Sequence, residues 1–226
     1  KSFEKCFNQF YGDPKKYCFL ALLPNYMKQK NSSLIYMVDH LIKQSGHPKS
    51  GFYLDDYANL SEVIKENEEN KEDTILFGVS YALINLAQEF PQELHHTTII
   101  ETGGTKGDKK EIVKEELHEI LKHNFNIQNV HSEYGMTELL SQSYSKEGNS
   151  FISPNWKKVL IRDINDPLTI IGENRTGGIN IIDLANINSC PFIATQDLGK
   201  IGGDGTFSVL GRFDNADLRG CNLMQS

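Results

Sequence analysis

The sequence predicts an α/β fold, a mostly parallel sheet with flanking helices followed by a small β-rich subdomain. Three observations carry this reading. Up to about residue 145, short apolar runs alternate with helical patterns, the spacing of parallel strands joined by helical crossovers. Beyond that point, short strand candidates are separated by Asn, Asp, Gly and Pro clusters, with no clear helix between them. The composition is that of a globular chain: of 226 residues 38% are apolar, and the 18 glycines bring this to about 46%. A disordered chain would be poorer in apolar and aromatic residues. A chain of this length buries about 70% of its unfolded surface and needs no disulfide or metal to hold it. The expected division is residues 1–147 and 148–226.

Each element has its own local signal. Tyr17 to Leu23 is an apolar run stopped by Pro24 and reads as a buried strand. Ser33 to Ser45 places Leu34, Ile35, Met37, Val38, Leu41 and Ile42 on one helical face, with Ser32 or Ser33 to cap it and Gly46 to end it. Gly51 to Leu54 reads as a short strand. Asp56 to Asn70 reads as a helix, and the charge run Lys65 to Asp73 as solvated surface. Thr74 to Val79 is an apolar strand, and Ser80 is placed to cap a helix through about Phe90. Thr97 to Ile100 is the next strand. Asp108-Lys109-Lys110-Glu111 has capping-box spacing before a helix to about His123, and Val130 to Tyr134 is a further strand candidate. In the second part the candidates are Val159 to Ile164, Gly178 to Leu184, Pro191 to Thr195 and Thr206 to Leu210.

Several functions are excluded at this level. Lys and Arg number 23 against 30 Asp and Glu, a net charge of −7 that argues against a nucleic-acid binder, which should carry a basic face. The longest wholly apolar run, Cys18 to Leu23, is too short for a membrane helix. Cys6, Cys18, Cys190 and Cys221 show no CxxC spacing, which argues against zinc and thioredoxin-type chemistry. His95-His96 has no third ligand at metal spacing and reads as a surface turn; His118 and His131 carry no assignment. No secretory signal is evident, so a cytoplasmic location is expected.

Ligands of parallel sheets bind at the carboxyl ends of the strands. Three segments fall there: Gly78-Val79-Ser80, Glu101 to Gly107, and Ser132-Glu133-Tyr134-Gly135-Met136-Thr137-Glu138. The second packs three glycines and a lysine between a strand and a helix, which suits either close backbone approach to an anion or an ordinary glycine turn. It is not a Walker A loop. The third gathers an aromatic ring, a glycine, a hydroxyl and a carboxylate, the groups to stack on a base, bond a phosphate and bind Mg²⁺. On spacing alone the favoured reading is a strand end followed by a helix cap.

Together these segments resemble the adenylate-forming superfamily. Tyr134-Gly135-Met136-Thr137-Glu138 matches the YGxTE signature. Asp197 in Ala194-Thr195-Gln196-Asp197-Leu198-Gly199 resembles the ribose-binding aspartate, and Gly211-Arg212-Phe213-Asp214 the GRxD element. Within the superfamily, Glu101-Thr102-Gly103-Gly104 and the run from Gly211 to Cys221 are most similar to LuxE-type acyl-protein synthetases, and more distantly to phenylacetate–CoA ligases. The fold would then be a fragment of an adenylate-forming enzyme's N-terminal domain. The resemblance implies that ATP and Mg²⁺ activate a carboxylic acid, expected to be a fatty acid, as an acyl-adenylate, and that the acyl group passes to a protein thiol.

The resemblance also implies roles. Tyr134 would flank the adenine with Gly103, Gly104, Gly135 and Met136 beside it, and Asp197 and Arg212 would hold the ribose. Thr137 would contact a phosphate, Glu138 would bind Mg²⁺, and Ser80 and Tyr81 would line the acyl pocket. Cys221 would carry the acyl group; a small buried cysteine is its bland alternative. An acyl-reductase partner with an acceptor cysteine is implied. The family's Gly/Ser/Thr-rich phosphate loop does not precede Lys1 to Tyr11, so an N-terminally truncated chain with weak or no activity alone is expected, while the lack of a full lid domain after Ser226 fits the LuxE type. Three other readings stand beside this one: a phenylacetate-type CoA ligase, a non-catalytic nucleotide-binding subunit of an acyl-reductase complex, and an unrelated α/β protein.

Overall fold

The apolar runs of the first half are strands buried on both faces. In the computed structural model, which describes residues 1–24, 32–103 and 112–213, Cys18–Leu22 (β1) is buried throughout. Such continuous hydrophobicity is what a parallel strand between two helical layers requires. β1 pairs in parallel with Gly51–Phe52 (β2) on one side and with Thr74–Gly78 (β3) on the other. β3 pairs with Thr97–Glu101 (β4), and β4 with His131–Tyr134 (β5), so the strands run β2-β1-β3-β4-β5.

Helices connect these strands. Ser2–Tyr11 (α1), which the sequence reading left unassigned, opens the chain. Ser33–Ser45 (α2) starts where the Ser32 side chain accepts from Ile35 N–H and ends at Gly46 in the left-handed region, as expected. Tyr57–Asn70 (α3) is capped by Asp56. Ser80–Glu89 (α4) departs from expectation: Ser80 is its first residue, and Val79 holds the cap position without a side-chain bond. Lys114–Phe125 (α5) likewise begins after an uncapped Val113, and the Asp108 to Glu111 box lies outside the described residues.

The later strands are antiparallel. Ser143–Ser145 (β6) bridges Ile152 through Tyr144. Lys157–Arg162 (β7), Ile170–Ile171 (β8), Gly177–Asp183 (β9), Phe192–Ile201 (β10) and Phe207–Arg212 (β11) form a sheet ordered β11-β10-β9-β7-β8. Its core is Leu139, Phe151, Ile161, Ile171, Ile179, Ile181 and Phe207. Arg162 stitches this sheet, donating to the carbonyls of Ile179 and Thr195 and to Asn180 Oδ1. Gly178 makes room for it, since a Cβ there would sit 2.5 Å from the guanidinium carbon.

By contacts the described residues divide into a parallel unit, Tyr11–Glu133 with Lys146–Gly148, and an antiparallel unit formed by Lys1–Phe10, Tyr134–Ser145 and residues 149–213. Among the described residues no helix is long and apolar enough to cross a membrane.

Candidate active site

In the parallel unit, the ends of β3 and β4 are tied together by Thr102 N–H donating to Gly78 O at 3.1 Å. Gly78 lets α4 pack close, because a Cβ there would collide with Leu83 at 2.5 Å. Ser80 is buried at the start of α4, and Tyr81 is half-buried. Gly103 takes φ +66°, a conformation that favours glycine, with open space where a side chain would stand. Its N–H donates to Glu101 Oε2 at 2.7 Å.

Glu101 is a site residue to which the sequence reading gave no role. It is 4% exposed at the end of β4. Lys114 Nζ lies 3.2 Å and His118 Nε2 3.9 Å from Oε1, while Ser132 is its register partner on β5. Burial alone would raise the carboxyl pKa. His118, Lys114, Ser132 and the Gly103 N–H outweigh burial and hold it down at about 2. Lys114 is itself lowered, because burial costs its ammonium more than the carboxylate returns. Nearby on β5, burial and then the charge of Lys146 push His131 down to about 4, so it is neutral at pH 7; its Nδ1 lies 3.1 Å from Tyr11 Oη.

The antiparallel unit brings together residues far apart in sequence. Tyr134 Oη donates to Asp197 Oδ2 at 2.7 Å. Arg212 Nε stands 3.5 Å from Asp197 Oδ1, and its Nη2 donates to Gln196 Oε1. Thr195 Oγ1 accepts the Asp197 N–H and so fixes the aspartate's backbone. The Tyr134 ring packs edge-on to Phe207, with centroids 5.6 Å apart, and tilts against Phe151 at 5.9 Å. Tyr134 therefore belongs both to the core and, through its hydroxyl, to the polar cluster.

The segment after Tyr134 is a turn. No helix follows, so the helix-cap alternative falls. Leu139 N–H donates to Met136 O at 3.0 Å, which puts Thr137 and Glu138 at the two central positions, both exposed. Met136 packs against the core and Leu139 is buried in it, so two apolar anchors hold a polar tip. Gly135 is half-buried beside them. A lone exposed carboxylate fits Mg²⁺, which binds through one or two carboxylates plus substrate phosphates rather than a closed protein cage. Gly104 and Cys221, two further expected site residues, lie outside the described residues.

Three more residues escaped the sequence reading. Lys157, buried in β7, donates to Ser141 O at 3.0 Å and places its ammonium 5.4 Å from the Tyr134 ring centre, within cation–π range. Asp183 and Asn186 hold the same loop from the end of β9.

No protein-family model and no curated protein sequence matches the chain. Solved structures do match it. ATP-bound MatB from Rhodopseudomonas palustris superposes with a TM-score of 0.68 at 14% identity, over 92% of this chain and 42% of that one. A mutant form of coronafacic acid ligase from Pectobacterium brasiliense gives 0.62 at 18% identity, over 87% and 39%. O-succinylbenzoate coenzyme A synthetase (MenE) from Bacillus subtilis, in complex with ATP and magnesium, gives 0.60 at 18% identity, over 92% and 44%. These are adenylate-forming enzymes, and the chain has the fold of a part of one, spanning roughly two fifths of their length.

Proposed function

We propose that the chain belongs to an enzyme that activates a carboxylic acid with ATP and passes the acyl group to a thiol, in the manner of LuxE-type acyl-protein synthetases. The observation that carries this reading is the Tyr134–Asp197–Arg212 cluster, whose three members resemble three ordered motifs and meet in space. A carboxylate oxygen of the acid attacks the α-phosphorus of ATP, the bond to pyrophosphate breaks, and an acyl-adenylate forms. A thiolate then attacks the acyl carbonyl and AMP leaves. Tyr134 flanks the base, with Gly103, Gly104, Gly135 and Met136 assigned beside it. Asp197 accepts from the ribose hydroxyls, with Arg212 orienting it. Thr137 contacts phosphate, and Ser80 and Tyr81 are assigned to the acyl chain. Mg²⁺, held by Glu138, would neutralise the polyphosphate charge. Cys221 is the proposed acyl carrier.

The test is acid-dependent ATP–pyrophosphate exchange by the full chain against a panel of fatty and aryl acids. Exchange that requires a fatty acid, and that falls at least 10-fold in Asp197→Ala, is the expected result. No exchange with any acid by the parent protein, with the N-terminal phosphate loop present, overturns the reading; weak or no exchange by these 226 residues alone does not. The likeness to a coenzyme A synthetase favours one alternative acceptor, free CoA. Labelled acyl groups that stay on the protein and are lost in Cys221→Ser support the protein thiol; acyl-CoA formed equally well by both supports the alternative.

A further inference from the structure

The turn that carries Thr137 and Glu138 is gripped from outside itself. Asp183, wholly buried at the end of β9, accepts from the N–H groups of Leu140 and Ser141 at 3.2 and 3.1 Å and from Ser141 Oγ at 2.8 Å. It also accepts from Ala185 N–H and from Asn186 Nδ2. Asn186, 3% exposed, then donates the same amide to the backbone carbonyl of Glu138 at 2.9 Å. Ser189 fixes Asn186 in turn, donating its N–H to Asn186 O and its hydroxyl to Oδ1. Glu138 is thus held by its own main chain while the residue itself is exposed.

This arrangement matters for a cation. Mg²⁺ demands near-ideal octahedral geometry and sheds water reluctantly, so a carboxylate that wanders binds it poorly. Groups that lock a ligand's orientation without touching the metal contribute strongly to affinity. We infer that Asn186, braced by Asp183, is a positioning residue that presents the Glu138 carboxylate to a divalent cation carried by a polyphosphate. The inference rests on the proposed reading of Glu138.

The experiment uses Mn²⁺ as the probe, with its binding to the full chain in the presence of ATP followed by electron paramagnetic resonance. Metal-free ATP affinity and the melting temperature are recorded alongside. Asn186→Ala is expected to weaken Mn²⁺ about 10-fold and to leave metal-free ATP affinity within twofold. Asn186→Ser, whose shorter hydroxyl keeps a donor, is expected to fall between and serves if the alanine variant does not fold. Glu138→Gln is the reference. If it weakens Mn²⁺ while both Asn186 variants melt lower but bind Mn²⁺ normally, Asn186 is merely structural and the inference is overturned, with the reading of Glu138 intact. Equal losses of Mn²⁺ and metal-free ATP in the Asn186 variants also overturn it. If Glu138→Gln leaves Mn²⁺ unchanged, the reading of Glu138 fails and the inference falls with it.

Discussion

Two loops that carry expected site residues are each held by a buried carboxylate, but at different range. Glu101 grips Gly103, two residues on. Asp183 grips Leu140 and Ser141, more than forty residues back. The first hold also draws on Lys114 and His118 from α5 and on Ser132 from β5, all within about thirty residues of Glu101. The second spans from the end of β9 back to the loop after Glu138, so it needs two distant stretches of the antiparallel unit in place. A local hold is tuned by charge; a distant one is tuned by topology.

The largest effect is expected where the distant hold is cut. Asp183→Ala strands several buried donors at about 1–3 kcal/mol each, so a loss of about 4 kcal/mol or more is expected. Denaturant unfolding of the antiparallel unit, followed through Trp156 fluorescence, measures it. A loss below about 1 kcal/mol would show that water or neighbours replace the carboxylate.

The local hold should answer to pH. The Glu101 carboxyl is held at about 2 in the fold against an ordinary 4.5. A carboxyl lowered by folding stabilises the protein above its unfolded pKa and loses that contribution as pH falls through the folded one. The gap corresponds to about 3 kcal/mol, present above pH 4.5 and lost between pH 4.5 and 2. Urea midpoints of wild type and Glu101→Gln should therefore converge as pH falls across that window. Parallel curves would refute the ion-pair account.

Smaller effects separate the holds from what they present. Tyr134→Phe removes one hydrogen bond to a charged group and should cost about 1–2 kcal/mol, leaving the ring in its place against Phe151 and Phe207. Nucleotide affinity measured by calorimetry should fall with it if Asp197 is the ribose acceptor. Gly103→Ala should cost about 1 kcal/mol through its positive φ alone, since the space beside it is open. A larger loss in thermal melts would mean that the strain spreads to the Glu101 bond.

Much of this architecture is legible from local pattern. The Ser33–Ser45 helix and its Ser32 and Gly46 ends follow from periodicity and caps, and β3 and β4 from their apolar runs. The first helix was legible too, because Phe3, Cys6, Phe7 and Phe10 stand at helical spacing. β10 runs well past its expected end because its register breaks between Ala194 and Leu198, and a strand that slips no longer alternates cleanly. Tyr134, Asp197 and Arg212 were reachable through motif order. Lys157, Asp183 and Asn186 were not: a single lysine, aspartate or asparagine at the end of a strand has no pattern, and their partners are set by sheet topology.

The turn at Thr137 and Glu138 has a practical consequence. Of its two anchors, Leu139 lies in the core and Met136 packs against it, while its two tip residues are exposed. Substitutions at exposed positions away from such anchors usually alter stability by no more than about 0.5 kcal/mol. If the proposed roles of Thr137 and Glu138 hold, chemistry and foldedness are separately heritable at this point of the chain. A substitution at the tip should therefore leave the fold, and with it the melting temperature, almost where it was.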